Sequence, residues 1–144
     1  MDMTSDITIQ AWISLLKSHQ KALSIVEHSL KEAELPVLAW YDILLELEKS
    51  GKKGLRPFEL EANLLLTQYG VSRVVERIKK SGYLTQEACE NDRRGHRLYI
   101  TKDGIKIRKK MWPVYWNAMN NALGAKLTLS QQKKLREILS LITD

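Results

Sequence analysis

The sequence predicts a mainly α-helical fold that carries one small β-hairpin. Apolar residues recur every three or four positions over most of the 144 residues, which is the spacing of amphipathic helices. Over residues 84–100 this period is lost, and two short runs that favour strands flank a turn rich in Asn, Asp, Arg and Gly. The hydrophobic fraction of 44% is ordinary for a globular protein and excludes wholesale disorder.

The first predicted helix extends from about Ile7 to Lys31. One stripe along it collects Trp12, Leu16, His19, Leu23, Val26 and Leu30. An apolar stripe of this length needs more than one partner helix, so it predicts an interface between two copies of the chain.

Two further helices are predicted before residue 64. Pro36 suits the first turn of a helix, where its missing N–H costs nothing, and the segment 51–54 with two glycines ends that helix. Pro57 then begins a short helix through Asn63.

A helix from Thr67 to Lys80 is predicted next, with Thr67 as its N-cap and Gly82 beyond its end. Gly70 would lie inside it, at a cost of about 1 kcal/mol relative to alanine. Its apolar face is formed by Val71, Val74, Val75 and Ile78, and polar side chains occupy the other face.

The hairpin is predicted from two strands, Leu84–Cys89 and Arg97–Ile100. Thr101 should then cap a helix that extends to about Leu123 and is kinked at Pro113.

A last helix is predicted after Gly124. Thr128 and Gln131 have the spacing of a capping box, and this helix should extend to Leu141.

Short helix, turn, helix and hairpin form the order of a winged helix-turn-helix, here with flanking dimerisation helices. We therefore predict an N-terminal dimerisation helix at 1–34, a winged lobe at 35–102, and C-terminal helices at 103–144 that complete the dimerisation region. Residues 57–110 hold twelve basic and seven acidic side chains, a net charge of +5 in a chain of net charge +6. A local basic patch is typical of a nucleic-acid site, although a solvated lysine-rich surface has the same charge.

The hairpin DRRGHRLYIT and the following residues Lys102, Asp103 and Gly104 contain an Asp-x-Arg pair, a strand and an Ile-Thr-x-x-Gly helix start. Together with the preceding VSRVVERIKKSGYL, this pattern resembles the MarR family of bacterial transcriptional regulators. The resemblance is strong from Leu55 to Gly104 and extends over nearly the whole chain in layout. It implies a homodimeric repressor that binds a palindromic double-stranded DNA operator.

That resemblance implies that the helix Thr67–Lys80 enters the major groove and that the wing enters the minor groove. The residues that we expect to contact DNA are Thr67, Gln68, Tyr69, Ser72, Arg73, Arg77, Arg93, Arg94, His96 and Arg97. Gln68 can pair with adenine, and Arg73 or Arg77 with guanine. The alternative for Arg77 is an ion pair within the protein.

Two acidic residues have predicted orienting roles at this site. Asp92 should hold the guanidinium of Arg94 at the tip of the wing. Glu76 should orient a neighbouring arginine on the helix.

Relatives in this family often bind small aromatic or phenolic ligands between the dimerisation helices and the DNA-binding lobe. The residues that could line such a pocket are Trp12, His19, Trp40, Tyr41, Trp112, Tyr115 and Trp116. The alternative is ordinary packing in the core and at the dimer interface.

Several other functions find little support in the sequence. His19 and His28 are nine residues apart and lie on opposite helix faces, and His96 has no ligand cluster at a suitable spacing, so we expect no metal site or cofactor. The single Cys89 excludes an intramolecular disulfide and is expected to be a small apolar strand residue, with redox sensing as the alternative.

No apolar run approaches the ~20 residues of a membrane span, and the N-terminus lacks the pattern of a signal peptide. We therefore expect a soluble cytoplasmic protein that is not an enzyme. A winged-helix module that binds proteins and not DNA is the alternative function.

Overall fold

The computed structural model describes residues 6–66, 70–89 and 92–144, with only the backbone described at residue 89 and residues 92–94. Over these residues the helices are α1 (Ile7–Glu32), α2 (Leu38–Ser50), α3 (Pro57–Asn63), α4 (Val71–Lys80), α5 (Lys102–Met119) and α6 (Leu129–Thr143). Strands β1 (Leu84–Cys89) and β2 (Asp92–Ile100) form one antiparallel sheet. The predicted fold class, mainly helical with a small wing, is confirmed.

The chain forms two compact units. One is Glu34–Pro113, and the other consists of the described parts of Met1–Ala33 and Val114–Asp144. The three functional parts predicted at 1–34, 35–102 and 103–144 stay a prediction.

The core of the Glu34–Pro113 unit is centred on α2. Its fully buried side chains come from both helices and strands and are Ile43, Leu44, Leu47, Leu60, Ile78, Leu84 and Leu98. Since α2 supplies three of them, α3, α4 and the hairpin are all assembled against one helix.

Helix α2 begins two residues later than Pro36. Val37 is extended, with φ −63° and ψ 156°, and its carbonyl accepts a hydrogen bond from the N–H of Trp40. Because an extended residue cannot continue a helix, Pro36 lies before the first turn, and its predicted position was wrong. The predicted end is confirmed, since Gly51 follows the helix with φ 54° and a 3₁₀ turn spans Gly51–Lys53.

Helix α4 begins at Val71, which corrects the predicted start at Thr67. Gly70 is the N-cap and has φ 69° and ψ 42°, a left-handed conformation that an α-helix cannot contain. Its carbonyl accepts the first helical bonds, from the N–H groups of Arg73 and Val74. Gly70 therefore precedes the helix, and the prediction that placed it inside was wrong.

Strand β2 begins at Asp92, five residues before the predicted start at Arg97. The register pairs Ala88 with His96 and then Cys89 with Asp92, so a bulge lies between the two pairs. Residues 93–95 of β2 have no partner among the described residues of β1 in this bulge, and pairing continues at Asp92. Residues 92–96, which were predicted to lie in a turn, are therefore strand.

The base of the wing is fastened by Thr101 and Gly104. The Thr101 hydroxyl donates to the carbonyl oxygen of Gly82 at 2.6 Å and accepts from the N–H of Gly104 at 3.0 Å. A β-carbon at Gly104 would overlap the carbonyl oxygen of Tyr83. These contacts explain why threonine and glycine occur three residues apart at the start of α5.

The C-terminal part of α5 contains Pro113, as predicted, and passes at Met119 into a π-helical turn, Asn120–Gly124. The predicted helical span to Leu123 therefore holds, with a change of helix type at its end.

In the second unit, α6 begins as the sequence predicts. The Thr128 hydroxyl accepts from the N–H of Gln131 at 3.2 Å, and the Gln131 side chain accepts from the N–H of Thr128 at 2.9 Å. On α1 the stripe is divided, because Val26 and Leu30 are buried while Trp12 and the leucines near it are exposed.

Candidate nucleic-acid interface

Helix α4 has one buried face and one polar face. Val71 and Ile78 are buried, and Ile78 belongs to the core cluster. The exposed residues of the helix are Ser72, Arg73, Glu76, Arg77, Lys79 and Lys80. Because the apolar residues fix the rotation of α4, the polar face is directed away from the core.

The polar face of α4 carries four basic side chains and one acidic one. The acidic residue, Glu76, pairs with Lys79 at 3.6 Å. Among the described residues its partner is a lysine, so the predicted arginine-orienting role of Glu76 was wrong: Lys79 lies one turn away at i+3 and meets the carboxylate.

Arg73 and Arg77 are both exposed. Within residues 6–66, 70–89 and 92–144, no side-chain hydrogen bond or ion pair engages either guanidinium. An ion pair at Arg77, the alternative to a DNA contact, is therefore not formed within those ranges. Ser72 is exposed beside them, so three predicted contact residues share one accessible face.

Other predicted contact residues lie outside what the structure describes. Thr67, Gln68 and Tyr69 are outside the described residues, and so are the side chains of residues 92–94. The contacts predicted for Arg93 and Arg94, and the pairing of Asp92 with Arg94, therefore stay predictions.

His96 and Arg97 lie on the second strand of the wing. His96 is exposed, and its backbone pairs with Ala88. Arg97 lies opposite Glu87, and its Nη1 donates to the carbonyl oxygen of Lys53 at 3.3 Å. This bond ties the wing to the segment between α2 and α3.

Asp42 is a residue of this lobe that the sequence analysis missed. It is 7% exposed, and its two carboxylate oxygens accept from the N–H groups of Leu65 and Leu66 at 3.1 Å and 2.8 Å. The signal in the sequence was an aspartate inside the apolar run of α2. Buried carboxylates need partners, and here backbone donors between α3 and α4 supply them.

The aromatic residues predicted to line a ligand pocket are divided between the two units. Trp12, His19, Tyr115 and Trp116 belong to one, and Trp40, Tyr41 and Trp112 to the other. In the second group the rings of Tyr41 and Trp112 stack, with centroids 6.1 Å apart and an interplanar angle of 20°. Trp40 packs edge-on against Tyr83 and touches the core cluster, which is the ordinary packing alternative.

Arg108 links α5 to α2. Its side chain pairs with Glu48, with Nη2 to Oε1 at 3.2 Å, and its Cζ lies 6.0 Å from the centre of the Tyr41 ring. Burial lowers the pKa of Arg108, and hydrogen bonds with Glu48 and Tyr41 outweigh it, so the net shift is upwards.

No group of three or more His, Cys, Asp or Glu side chains that could hold a metal ion occurs in the part of the chain that the structure describes. None of the described helices is both long and apolar enough to cross a membrane.

Known proteins are similar to this chain in sequence and in fold. A model of the MarR family matches residues 35–95. The transcriptional repressor MprA of Escherichia coli is 24% identical over 95 residues, which are 66% of this chain and 53% of MprA, so the chain spans about half the length of that relative. An HTH-type transcriptional regulator of Bacillus cereus is 23% identical over 129 residues, which are 90% of this chain and 84% of that regulator.

A solved structure extends the likeness to the whole fold. A MarR family transcriptional regulator from Streptomyces coelicolor, solved in complex with DNA, superposes with a TM-score of 0.83 at 27% identity, over 96% of this chain and 90% of that one. The family model covers α2 to the wing, and the structural match adds the flanking helices. In sequence over residues 35–95 and in fold over 96% of its length, the chain is similar to members of the MarR family.

Proposed function

We propose that this chain is a sequence-specific transcriptional regulator that binds double-stranded DNA in the cytoplasm. The observation that carries the proposal is the exposed face of α4, where Ser72, Arg73 and Arg77 lie beside one another and neither guanidinium is engaged by another described side chain. Arginine donors on one helix face suit the acceptor edge of guanine in the major groove.

Electrostatics supports the same assignment. The net charge of +5 over residues 57–110 includes α4 and the wing, which are joined at Thr101 and Gly82. Phosphate neutralisation supplies most of the affinity for duplex DNA, and base contacts supply its sequence preference. The relative from Streptomyces coelicolor, whose structure was solved with DNA, has the same fold.

The regulator acts as a homodimer on a palindromic operator. Large apolar side chains remain exposed on both α1 and α6, including Trp12 at 61%, Leu16 at 43% and Ile142 at 67%. Apolar surface on two helices of one unit is typical of an interface. A two-fold dimer presents two copies of α4 and therefore requires two half-sites related by symmetry.

The regulator is a repressor that a small aromatic ligand releases. The stacked rings of Tyr41 and Trp112 support this proposal, because Trp112 is buried on one side by Tyr41 and is still 42% exposed. A phenolic acid such as 4-hydroxybenzoate is a suitable probe. Quenching of tryptophan fluorescence that is lost in Trp112→Phe would support the site, and unchanged quenching would place the ligand elsewhere.

The test of DNA binding is selection of genomic fragments by the purified chain, followed by gel shifts with the selected duplex and a scrambled duplex of equal length. We expect a retarded complex with the selected duplex at nanomolar to sub-micromolar protein. Equal retardation of both duplexes would contradict sequence specificity. No retardation of either would favour the alternative of a protein-interaction module.

A further inference from the structure

The carboxylate of Asp42 makes an unusual pair of long-range contacts. Oδ1 accepts from the N–H of Leu65 and Oδ2 from the N–H of Leu66, so both oxygens bind consecutive backbone amides 23 and 24 residues further along the chain. The side chain is more than nine-tenths buried. Among the described residues, no cation forms an ion pair with it. The backbone donors are therefore what compensates the buried charge.

The helix that carries Asp42, α2, is packed into the core. Ile43, Leu44 and Leu47 on the same helix are completely buried in the core. Glu48, six residues further along the same helix, pairs with Arg108 of α5. Asp42 therefore connects the backbone that follows α3 to the helix that supplies Ile43, Leu44 and Leu47 to the core.

The amides of Leu65 and Leu66 lie six and five residues before Val71, the first residue of α4. Helix α3 ends at Asn63, and α4 begins after the left-handed Gly70, so Leu65 and Leu66 belong to the short connection between the two helices. Leu65 is 77% exposed, so its own side chain does little to fix this backbone. The Asp42 carboxylate holds this backbone with two hydrogen bonds, beside the packing of Leu64 against the core cluster.

We propose that Asp42 is a positioning residue for DNA recognition, which sets the path of the chain into α4 and thereby the presentation of Arg73 and Arg77. This inference rests on the proposed function, because it assumes that α4 contacts bases. Asp42 itself is buried and does not touch DNA. Its role is to hold the preceding backbone so that little conformational freedom is lost when the complex forms.

The substitution Asp42→Asn separates positioning from simple electrostatics. An amide oxygen can accept one of the two N–H bonds, whereas the amide NH₂ group faces the other donor and cannot accept. The same change removes a negative charge from a lobe that binds an anion. Electrostatics alone would make Asp42→Asn bind DNA slightly more tightly, whereas loss of positioning weakens binding to the operator.

The experiment compares wild type, Asp42→Asn and Ile43→Val by fluorescence anisotropy, with the operator and with a scrambled duplex. Ile43→Val is the matched control, because it removes one methylene from the fully buried neighbour on α2 and destabilises the core without touching the Leu65 and Leu66 amides. Both variants are measured at a temperature at which circular dichroism shows them folded. Hydrogen exchange of the two amides is recorded by NMR.

For Asp42→Asn we expect about a tenfold loss of operator affinity, which corresponds to about 1.4 kcal/mol. Binding to the scrambled duplex should be unchanged or tighter, and the Leu65 and Leu66 amides should exchange faster. Ile43→Val should keep operator affinity within about twofold. If Asp42→Asn does not fold, Asp42→Glu replaces it, since it keeps the charge and displaces both oxygens by one methylene, and the same loss is expected.

The proposal is overturned if the Asp42 variant binds the operator as tightly as wild type, or if Ile43→Val loses as much affinity as Asp42→Asn. If the proposed function itself is wrong, the result differs, because wild type would then bind neither the operator nor the scrambled duplex. In that case faster exchange of the Leu65 and Leu66 amides in Asp42→Asn still supports the backbone role, and unchanged exchange refutes it.

Discussion

The hydroxyl of Thr101 donates a 2.6 Å hydrogen bond to the carbonyl oxygen of Gly82. Gly82 follows the end of α4, and Thr101 lies between the wing and α5, so the bond joins the end of α4 to the base of the hairpin. The N–H of Thr101 adds a bond to the carbonyl oxygen of Tyr83 at 3.1 Å. Helix α4 and the wing therefore form one connected surface.

Thr101→Val should destabilise the protein by about 0.5–2 kcal/mol, because valine keeps the shape and loses the hydroxyl bond to Gly82 and the capping bond from Gly104. Thr101→Ser keeps the hydroxyl and serves as the control, with a smaller loss. Urea denaturation measures both. Equal stability of Thr101→Val and wild type would show that the cap does not contribute.

For the Arg108–Glu48 pair we predict that a second substitution partly recovers the stability lost through the first. The two side chains are only 14% and 26% exposed, so Glu48→Leu leaves a largely buried guanidinium without its carboxylate. We expect a loss of about 1–3 kcal/mol in the free energy of unfolding. Adding Arg108→Leu should recover part of that loss, because the unpaired charge is removed.

Thermal unfolding of the two single variants and the double variant completes this cycle. A double variant whose loss equals the sum of the two single losses would show that Arg108 and Glu48 act independently.

Leu16→Asp should convert the protein from dimer to monomer at micromolar concentration. Leu16 lies in the exposed apolar stripe of α1, and burying a leucine side chain contributes about 1.5–3 kcal/mol. Ser18→Asp adds the same charge on the other side of α1 and should leave the dimer intact. Sedimentation velocity distinguishes the species. A wild-type monomer, or a Leu16→Asp dimer of wild-type stability, would contradict the proposed interface.

Replacing Arg73 should affect specificity, and replacing Arg94 should affect affinity more generally. Arg73→Ala is expected to cost about 1–3 kcal/mol on the operator and to relax preference at one base pair in each half-site. Arg94→Ala should weaken binding to operator and scrambled duplex more evenly, and Asp92→Ala should resemble a milder Arg94→Ala. Lys133→Ala, on exposed α6, controls for loss of a positive charge.

Competition binding with the two duplexes separates these variants. If Asp92→Ala tightened binding to both duplexes equally, Asp92 would act as anionic repulsion, and its predicted orienting role would be wrong.

Local signals could be read from the sequence, and signals that depend on distant parts of the chain could not. The Thr128–Gln131 cap was predictable because both partners lie within one turn of helix. The start of α4 was not predictable, because the spacing of apolar residues does not show that Gly70 adopts a left-handed conformation.

At the candidate site, too, local features could be predicted and features that depend on distant residues could not. The exposed face of α4 follows from the spacing of Val71 and Ile78, so Arg73 and Arg77 could be predicted to be accessible. The bonds of Asp42 could not, because their partners are backbone groups 23 and 24 residues away. The start of β2 at Asp92 could not be predicted for a related reason. It depends on the bulge after Ala88, and strand register is set by pairing with the other strand.

The most direct test of DNA binding by this chain is the salt dependence of its affinity for the selected operator. Each neutralised phosphate contributes about −0.9 to the slope of log K against log salt concentration. With several phosphates contacted by each α4 and wing, we expect a slope of about −5 or steeper between 50 and 200 mM salt. A slope near zero over that range would contradict the claim that the basic surface of α4 and the wing binds DNA.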